Sequence, residues 1–592
     1  AYESPFKMYG MFALVVTPKE GQSFDEAKKL LLDQLDLVKK GQFPDWMLKA
    51  IVNDKKVQRM KGWETADGLA TELYDSYIKG RTWEQELDEI NQYEKITKAD
   101  IVKFANDFFK DNYVVVYKEK GVNDKLVRVE NPGITPIKLN REAQSPFLKD
   151  ILSTKVAEIK PEFIDYKTAI QTSQVKDKTV SFVKNKYNEI AQVSYVFPFG
   201  TDNDKELALA GTVFEYLGTD KYTPEQLKEE FYKLGITYNL RTSNDQTVIT
   251  LAGLESNMKK GVELMNHWMT NVKADKAIYS QTVKTILEAR EVGKKDKVKI
   301  MSALSNYAKY GKDSRMTDII SKARLESIDV TELMKKVKTL TQYPYQVFLY
   351  GQDQTGLEKA VKPYIGNTSL QPAKAKEYAE PATTGKVYFT NYDMVQMEMA
   401  KVAKGTPLNL NNFGKSNVFN EYFGRGLSSI VFQEIRESKS LAYSAYVSYA
   451  NASEKGHANY ITNYIGTQSN KLPLAVNAMS ELMAELPQIP TQFENARGSA
   501  LKQIASNRIN RTNIFFSQLA LKKLGVDYDL RKDTYAEIQG LTLPQLTGFY
   551  NTEVKSVKYN TAIIGKKENL NMESINKMGE FQEVSLEEIF GY

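Results

Sequence analysis

Arg436 and Tyr443 carry the chemistry that stands out in this sequence. Both lie in the stretch Gly424–Tyr449, GRGLSSIVFQEIRESKSLAYSAYVSY. A guanidinium offers paired donors to a peptide backbone, and a phenol can donate to a developing oxyanion. The elements that would position them can be read from the same residues. A glycine-rich turn opens the stretch. An amphipathic helix follows, with Ile430, Val431 and Ile435 among polar residues, and then a strand alternating Tyr/Val with Ser/Ala. Arg436 is expected at the helix end and Tyr443 at the strand start. On periodicity alone, a surface arginine and a half-buried strand tyrosine also account for the pattern.

Composition bounds other chemistry tightly. There are no cysteines, which excludes disulfides, thiolate zinc sites and cysteine nucleophiles. The two histidines, His267 and His457, fall in a helix patterned for a core and in a polar loop. Zinc catalysis wants two or three converging imidazoles with a carboxylate, and nothing spaces these two as ligands, so no metal site is expected in the chain. Gly424-Arg-Gly426 precedes a helix as a phosphate loop would, but no Lys-Ser/Thr pair follows. Basic and acidic residues, 80 and 74, are interspersed and leave a net charge of +6, which gives no nucleic-acid footprint. The run Lys294–Lys299 reads as a solvated helix face. No apolar run approaches a membrane span, and Ala1 does not open a signal peptide.

At 592 residues the chain exceeds one hydrophobic core, and its elements recur. Met8–Val16, Thr247–Leu254 and Ala458–Gly466 each read as a strand followed by a helix. The second helices are Pro44–Met60, Ala277–Val292 and Phe493–Ile509. Each copy then closes with a capped helix and an apolar strand: Tyr113–Tyr117, Tyr345–Tyr350 and Thr561–Ile564. Copies two and three begin with a hairpin, near Val180 and Lys386. Copy one lacks that front, so residue 1 is expected to lie inside a domain. Prolines 132, 136, 146 and 161 mark a linker, and prolines 363, 372 and 381 a connector. The expected division is 1–120, an incomplete domain; 121–178, the linker; 179–352, a domain; 353–385, the connector; and 386–592, a domain.

GRGLSSIVFQEIRESKSLAYS resembles the C-terminal, non-zinc repeat of pitrilysin/insulinase-type zinc metallopeptidases. The shared set is Gly424, Gly426, Ser429, Phe432, Arg436, Leu441 and Tyr443. The resemblance implies an α+β fold of tandem mitochondrial-processing-peptidase-like αβ sandwich domains, each an antiparallel sheet with packed helices. By the same analogy the chain is one half of a clamshell plus part of domain two, ending in domains three and four. The family's His-x-x-Glu-His helix aligns with Thr212, Val213, Phe214, Glu215 and Tyr216, where Thr and Tyr replace both histidines. Glu288 or Glu291 lies near the family's distal glutamate. The resemblance therefore implies a degenerate, non-functional metal motif here, and catalytic zinc in an N-terminal part that this sequence lacks.

The expected function follows from that likeness. The chain would be the non-zinc-binding part of a zinc metalloendopeptidase that cleaves peptides in a closed chamber, inactive alone. Arg436 would bind the substrate backbone and Tyr443 would donate to the tetrahedral intermediate. Its partners would be peptide substrates and the N-terminal catalytic part, in the same polypeptide or a separate chain. A non-catalytic scaffold or substrate-recognition subunit of the same fold is the alternative. A third reading, peptide addition at an exposed strand edge, is compatible with either. The likeness to exported bacterial members points to the periplasm.

Overall fold

The structure is a computed structural model that describes all residues except 6, 7, 20, 120, 122–124, 128–143 and 156. Pro132 and Pro136 of the expected linker therefore lie outside the described residues.

Its strands are β1 Tyr2–Pro5, β2 Gly10–Ala13, β3 Gln171–Val175, β4 Lys178–Lys184, β5 Ile190–Phe197, β6 Ile236–Thr242, β7 Thr247–Leu254, β8 Gln346–Gly351, β9 Lys386–Asn391, β10 Gln396–Pro407, β11 Ser444–Ala450, β12 Ala458–Gln468, β13 Asn560–Gly565 and β14 Glu580–Glu583. Twelve of them form two six-stranded sheets, ordered β3-β4-β8-β5-β7-β6 and β11-β12-β10-β13-β9-β14. Five positions in each sheet are equivalent, with β4, β8, β5, β7 and β6 answering to β9, β13, β10, β12 and β11. Within those five, only β4/β8 and β9/β13 run parallel. The sixth strand differs: β3 joins β4 antiparallel from upstream, whereas β14 joins β9 parallel from downstream. The chain thus contains two copies of one α+β sandwich, preceded by a helical unit with the small β1–β2 sheet.

Four sequence expectations change. Strand Met8–Val16 shrinks to β2, which among the described residues pairs only with β1. Tyr113–Tyr117 forms no strand. A strand needs a neighbour for its N–H and C=O groups, and this segment lies instead along helix Phe24–Lys39. There the Tyr117 ring meets Phe24 and Lys28 sits over Tyr113, while Val114 and Val116 are exposed. Finally, the 121–178 linker is too long as drawn. Its last part is helix Tyr166–Ala169 and β3, which belong to the first sandwich. Upstream of that helix, Arg508 donates to the Lys160 carbonyl, and the Ile164 N–H to Asp529, fastening residues 160–164 to the second sandwich. Likewise, helix Gln354–Val361, placed in the connector, packs on the core of the first sandwich through Leu357 and Val361.

The inner strands β5, β8, β9 and β13 are buried on both faces, which explains their consecutive apolar residues, whereas burial alternates along β6 and β7. In the first sandwich, Val193, Leu251 and Leu349 face its own helices. Val183, Val196 and Phe348 face the other way, against Phe515 of helix Asn513–Lys523. That helix comes from the second sandwich. Reciprocally, Ala400, Val402, Ala562 and Ile564 of the second sheet are covered by Ile300, Met301, Leu304 and Tyr307 of helix Lys297–Tyr310, which comes from the first. Both are the third helix after the equivalent strands β7 and β12. The two sandwiches therefore exchange helices. Each buried large side chain contributes about 1.5–3 kcal/mol. Polar pins add register: Asn560 Nδ2 donates to the Ala308 carbonyl at 2.9 Å, and its Oδ1 accepts from the N–H groups of Thr384, Gly385 and Lys386.

Candidate functional site

The glycine-rich turn and the strand it precedes set the position of the Arg436/Tyr443 pair. A Cβ on Gly424 would stand 1.9 Å from the Val447 carbonyl oxygen, so only glycine lets the turn pass β11 so closely. Gly426 takes φ +85°, the left-handed region. Ser429, fully buried, accepts from the Phe432 N–H and donates to the Gly426 carbonyl, which starts the helix.

The helix is not a regular α-helix. Phe432–Ser438 is a π-helical stretch, as is Asn420–Gly424 just upstream. Bonds five residues back mark both: Lys439 N–H to Glu434 O at 3.2 Å, and Arg425 N–H to Asn420 O at 2.6 Å. Wide turns of this kind concentrate at functional sites. Ser440, at φ +49°, reverses the chain, and Lys471 donates to its carbonyl. Thr467 holds the Leu441 carbonyl at 2.5 Å, and the Tyr443 N–H bonds Gly466 at 3.1 Å, extending the β11–β12 ladder by one residue.

This path lays Arg436 against Tyr443. The guanidinium carbon lies 4.7 Å from the Tyr443 ring centre and 4.9 Å from that of Phe432. Contact with two ring faces orients the fork. Glu437 approaches Arg436 Nε at 3.5 Å. Tyr443 is 74% exposed, and its hydroxyl has no hydrogen-bond partner among the described residues. The pair thus offers a guanidinium edge and a free phenol O–H side by side. The outer edge of β11 is closed nearby, because the Asn420 side chain bonds both the N–H and the C=O of Tyr449, at 2.9 and 3.0 Å. Strand addition is blocked there.

The aligned metal motif is laid out differently. Helix Glu206–Phe214 ends before Glu215 and Tyr216, and the Tyr216 N–H bonds Val213 rather than Thr212. Thr212 and Tyr216 are exposed, with the Thr212 hydroxyl donating to the Ala208 carbonyl and Lys228 over the Tyr216 ring. Partial burial pushes the Glu215 carboxyl up, against a smaller opposing pull from Lys228. Glu288 and Glu291 pair with Lys284 and Lys294. His267 bonds Thr219 and Asn271, while His457 bonds Glu380 in the other sandwich. These donors do not fit zinc: two are neutral hydroxyls, one is committed to the backbone, and no imidazole faces the carboxylate. No cluster of three or more potential metal ligands occurs among the described residues.

The sequence reading missed the groove beside Tyr443. Lys297, expected on a solvated face, pairs at 2.8 Å with Glu398, a nearly buried carboxylate on β10. Lys294 in the same run is also largely covered, near Glu587 and over the Tyr592 ring. Neither partner is visible locally, since Glu398 is 101 residues from Lys297 and Glu587 is 293 from Lys294.

The chain thus holds two copies of an α+β sandwich, one carrying an exposed Arg/Tyr pair and the other a motif without imidazoles. Comparison with known proteins gives the family. Residues 212–318 match the model of insulinase, peptidase family M16, and residues 345–499 match that of the peptidase M16 inactive domain. An uncharacterized zinc protease of Rickettsia felis is 22% identical over 308 residues, covering 49% of this chain and 70% of the relative. The peptidase M16 inactive domain from Pseudomonas fluorescens superposes with TM-score 0.54 at 15% identity, over 67% of this chain and 98% of that one. The Escherichia coli periplasmic protease PqqL superposes with TM-score 0.57 at 12% identity, over 92% of this chain and 63% of PqqL. Two segments of the chain thus match peptidase family M16, of the pitrilysin/insulinase type, one of them as its inactive domain. Among the described residues no helix is long and apolar enough to cross a membrane.

Proposed function

We propose that this chain is the non-zinc-binding part of a metalloendopeptidase that cleaves peptides within a closing chamber, and that it supplies Arg436 and Tyr443 to a hydrolytic centre outside this chain. The observation that carries the reading is the stacked pair itself. Arg436 is oriented by two rings, and Tyr443 presents an unpartnered hydroxyl to solvent. A scaffold needs neither feature. Arg436 would hold a substrate backbone carbonyl. Tyr443 would donate its O–H to the oxygen that gains charge as the peptide carbon becomes tetrahedral, worth about 2–4 kcal/mol in comparable oxyanion sites.

Zinc would belong to the catalytic part, in the same polypeptide or a second chain, and this chain alone would be inactive. The first helical unit gives that part a surface to meet, since Tyr2, Met11, Phe12, Val114 and Val116 are exposed. Export to the periplasm fits the cysteine-free composition and the likeness to the periplasmic protease PqqL. The test is to purify the protein from its native cells and sequence whatever carries His-x-x-Glu-His with it. Arg436→Ala and Tyr443→Phe in that material should lower turnover at unchanged zinc content. Unchanged turnover in both would leave the scaffold reading.

A further inference from the structure

Beside Tyr443 the exchanged helix and the second sheet enclose a groove of about 580 Å³. Its walls are helix Lys297–Tyr310 on one side and the outward faces of β10, β11 and β12 on the other. Register fixes its direction. Lys297 pairs with Glu398, which lies opposite Gly466, and Gly466 accepts from the Tyr443 N–H. Lys309 lies over the ring of Tyr460, six residues back along β12. The groove therefore runs from Tyr443 and Lys297 at one end to Lys309 at the other. Twelve helical residues span about 18 Å, the length of five or six residues of extended peptide.

The chemistry along it is graded. At the Tyr443 end the single carboxylate, Glu398, is satisfied by Lys297. In the middle, the rings of Tyr446 and Tyr464 stack at 5.1 Å and 17° and give a flat floor. At the far end the Lys309 ammonium has only the Tyr460 ring, 5.4 Å away, and no carboxylate partner among the described residues. Burial pushes that ammonium below the usual lysine range, as expected for a cation desolvated without an anion. A partly buried, unpaired cation at the end of a peptide-length groove is a seat for an anion.

We propose that this groove is a substrate subsite for an acidic peptide: a carboxylate seats on Lys309, and the chain runs over Tyr446 and Tyr464 towards Tyr443. The assignment rests on the peptide-chamber reading and deepens it. It commits to a carboxylate, whose source is either a Glu or Asp side chain or a C-terminus.

The experiment measures binding of fluorescein-labelled, C-terminally amidated unfolded peptides to the purified chain by anisotropy. One peptide carries a Glu where its control carries Gln, and a third is the Gln control with a free C-terminus. The expected result is that the Glu peptide binds about fivefold tighter than its Gln control. Lys309→Met abolishes that preference without changing the affinity of the Gln peptide or the melting temperature, and Lys309→Arg retains it. A preference for the free C-terminus alone, lost in Lys309→Met, assigns the seat to a terminal carboxylate. Equal affinity for all three peptides in the parent overturns the subsite while leaving the chamber reading standing, as does a preference that survives Lys309→Met. No binding of any peptide overturns both.

Discussion

The Arg436 guanidinium lies over the Tyr443 ring, its carbon 4.7 Å from the ring centre, although seven positions and a chain reversal separate the two residues. Each fixes the other: the ring orients the fork, and the fork limits the swing of an exposed phenol. Arg436→Ala should therefore lower kcat/KM of the assembled peptidase by about 10- to 100-fold, the value of a charge-assisted hydrogen bond. The melting temperature should hardly move, because the pair is at the surface. Steady-state kinetics with a calorimetric control checks both.

The exchanged helices tie the two sandwiches into one folding unit. The rings of Phe348 and Phe515 stack at 4.2 Å and 4° across that junction, with Phe515 fully buried. Phe515→Ala should cost about 3–5 kcal/mol. Scanning calorimetry of the parent should show the sandwiches melting in a single transition. Two transitions, only one of them shifted by Phe515→Ala, would show that the exchange does not couple them.

Gly424 is held by space and Gly426 by backbone angle, so their alanine variants should differ. Gly424→Ala drives a Cβ into the Val447 carbonyl and must displace β11, at a cost of about 1–3 kcal/mol and with loss of the Arg436/Tyr443 arrangement. Gly426→Ala meets open space and suffers only its φ of +85°, about 1–2 kcal/mol. Denaturant melts paired with turnover separate the two effects: activity should collapse in the first variant and largely survive in the second.

Asp318 links pH to stability. Partial burial alone would raise its carboxyl, but Lys205, Lys376 and the Tyr378 hydroxyl donate to it and hold it at about 2. The folded value lies below the unfolded one of 3.8, so its stabilisation is fully present above pH 4 and is lost as pH falls towards 2. Asp318→Asn should cost about 1–2 kcal/mol at pH 7 and far less at pH 2. An equal loss at both pH values would assign the effect to packing.

How much of this was legible in sequence follows physical lines. β8 and β13 are readable as short apolar runs, and β7 and β12 as strands rich in β-branched and tyrosine residues between polar turns. The family motif in Gly424–Tyr449 was readable because its glycines and apolar positions are local. The exchange of helices was not. The buried stripe of Lys297–Tyr310 shows that this helix covers something, but not that it covers the next domain's sheet. The π-helical stretch at Phe432–Ser438 was hidden for a similar reason: Val431 and Ile435 keep α-helical spacing while the backbone adds a residue to the turn. Tyr113–Tyr117 misled in the other direction, since an apolar run predicts a strand whether or not a neighbouring strand exists to pair with it.

The central claim is that Tyr443 serves a hydrolytic centre this chain does not itself contain. The most direct test compares cleavage of a quenched fluorescent peptide by the purified chain, by the chain assembled with its His-x-x-Glu-His part, and by the same assembly carrying Tyr443→Phe. The account predicts no cleavage by the chain alone, cleavage by the assembly, and a fall in kcat of roughly 30- to 1,000-fold in the variant at unchanged zinc content. Chelator-sensitive cleavage by the chain alone, or full activity with Tyr443→Phe, would contradict it.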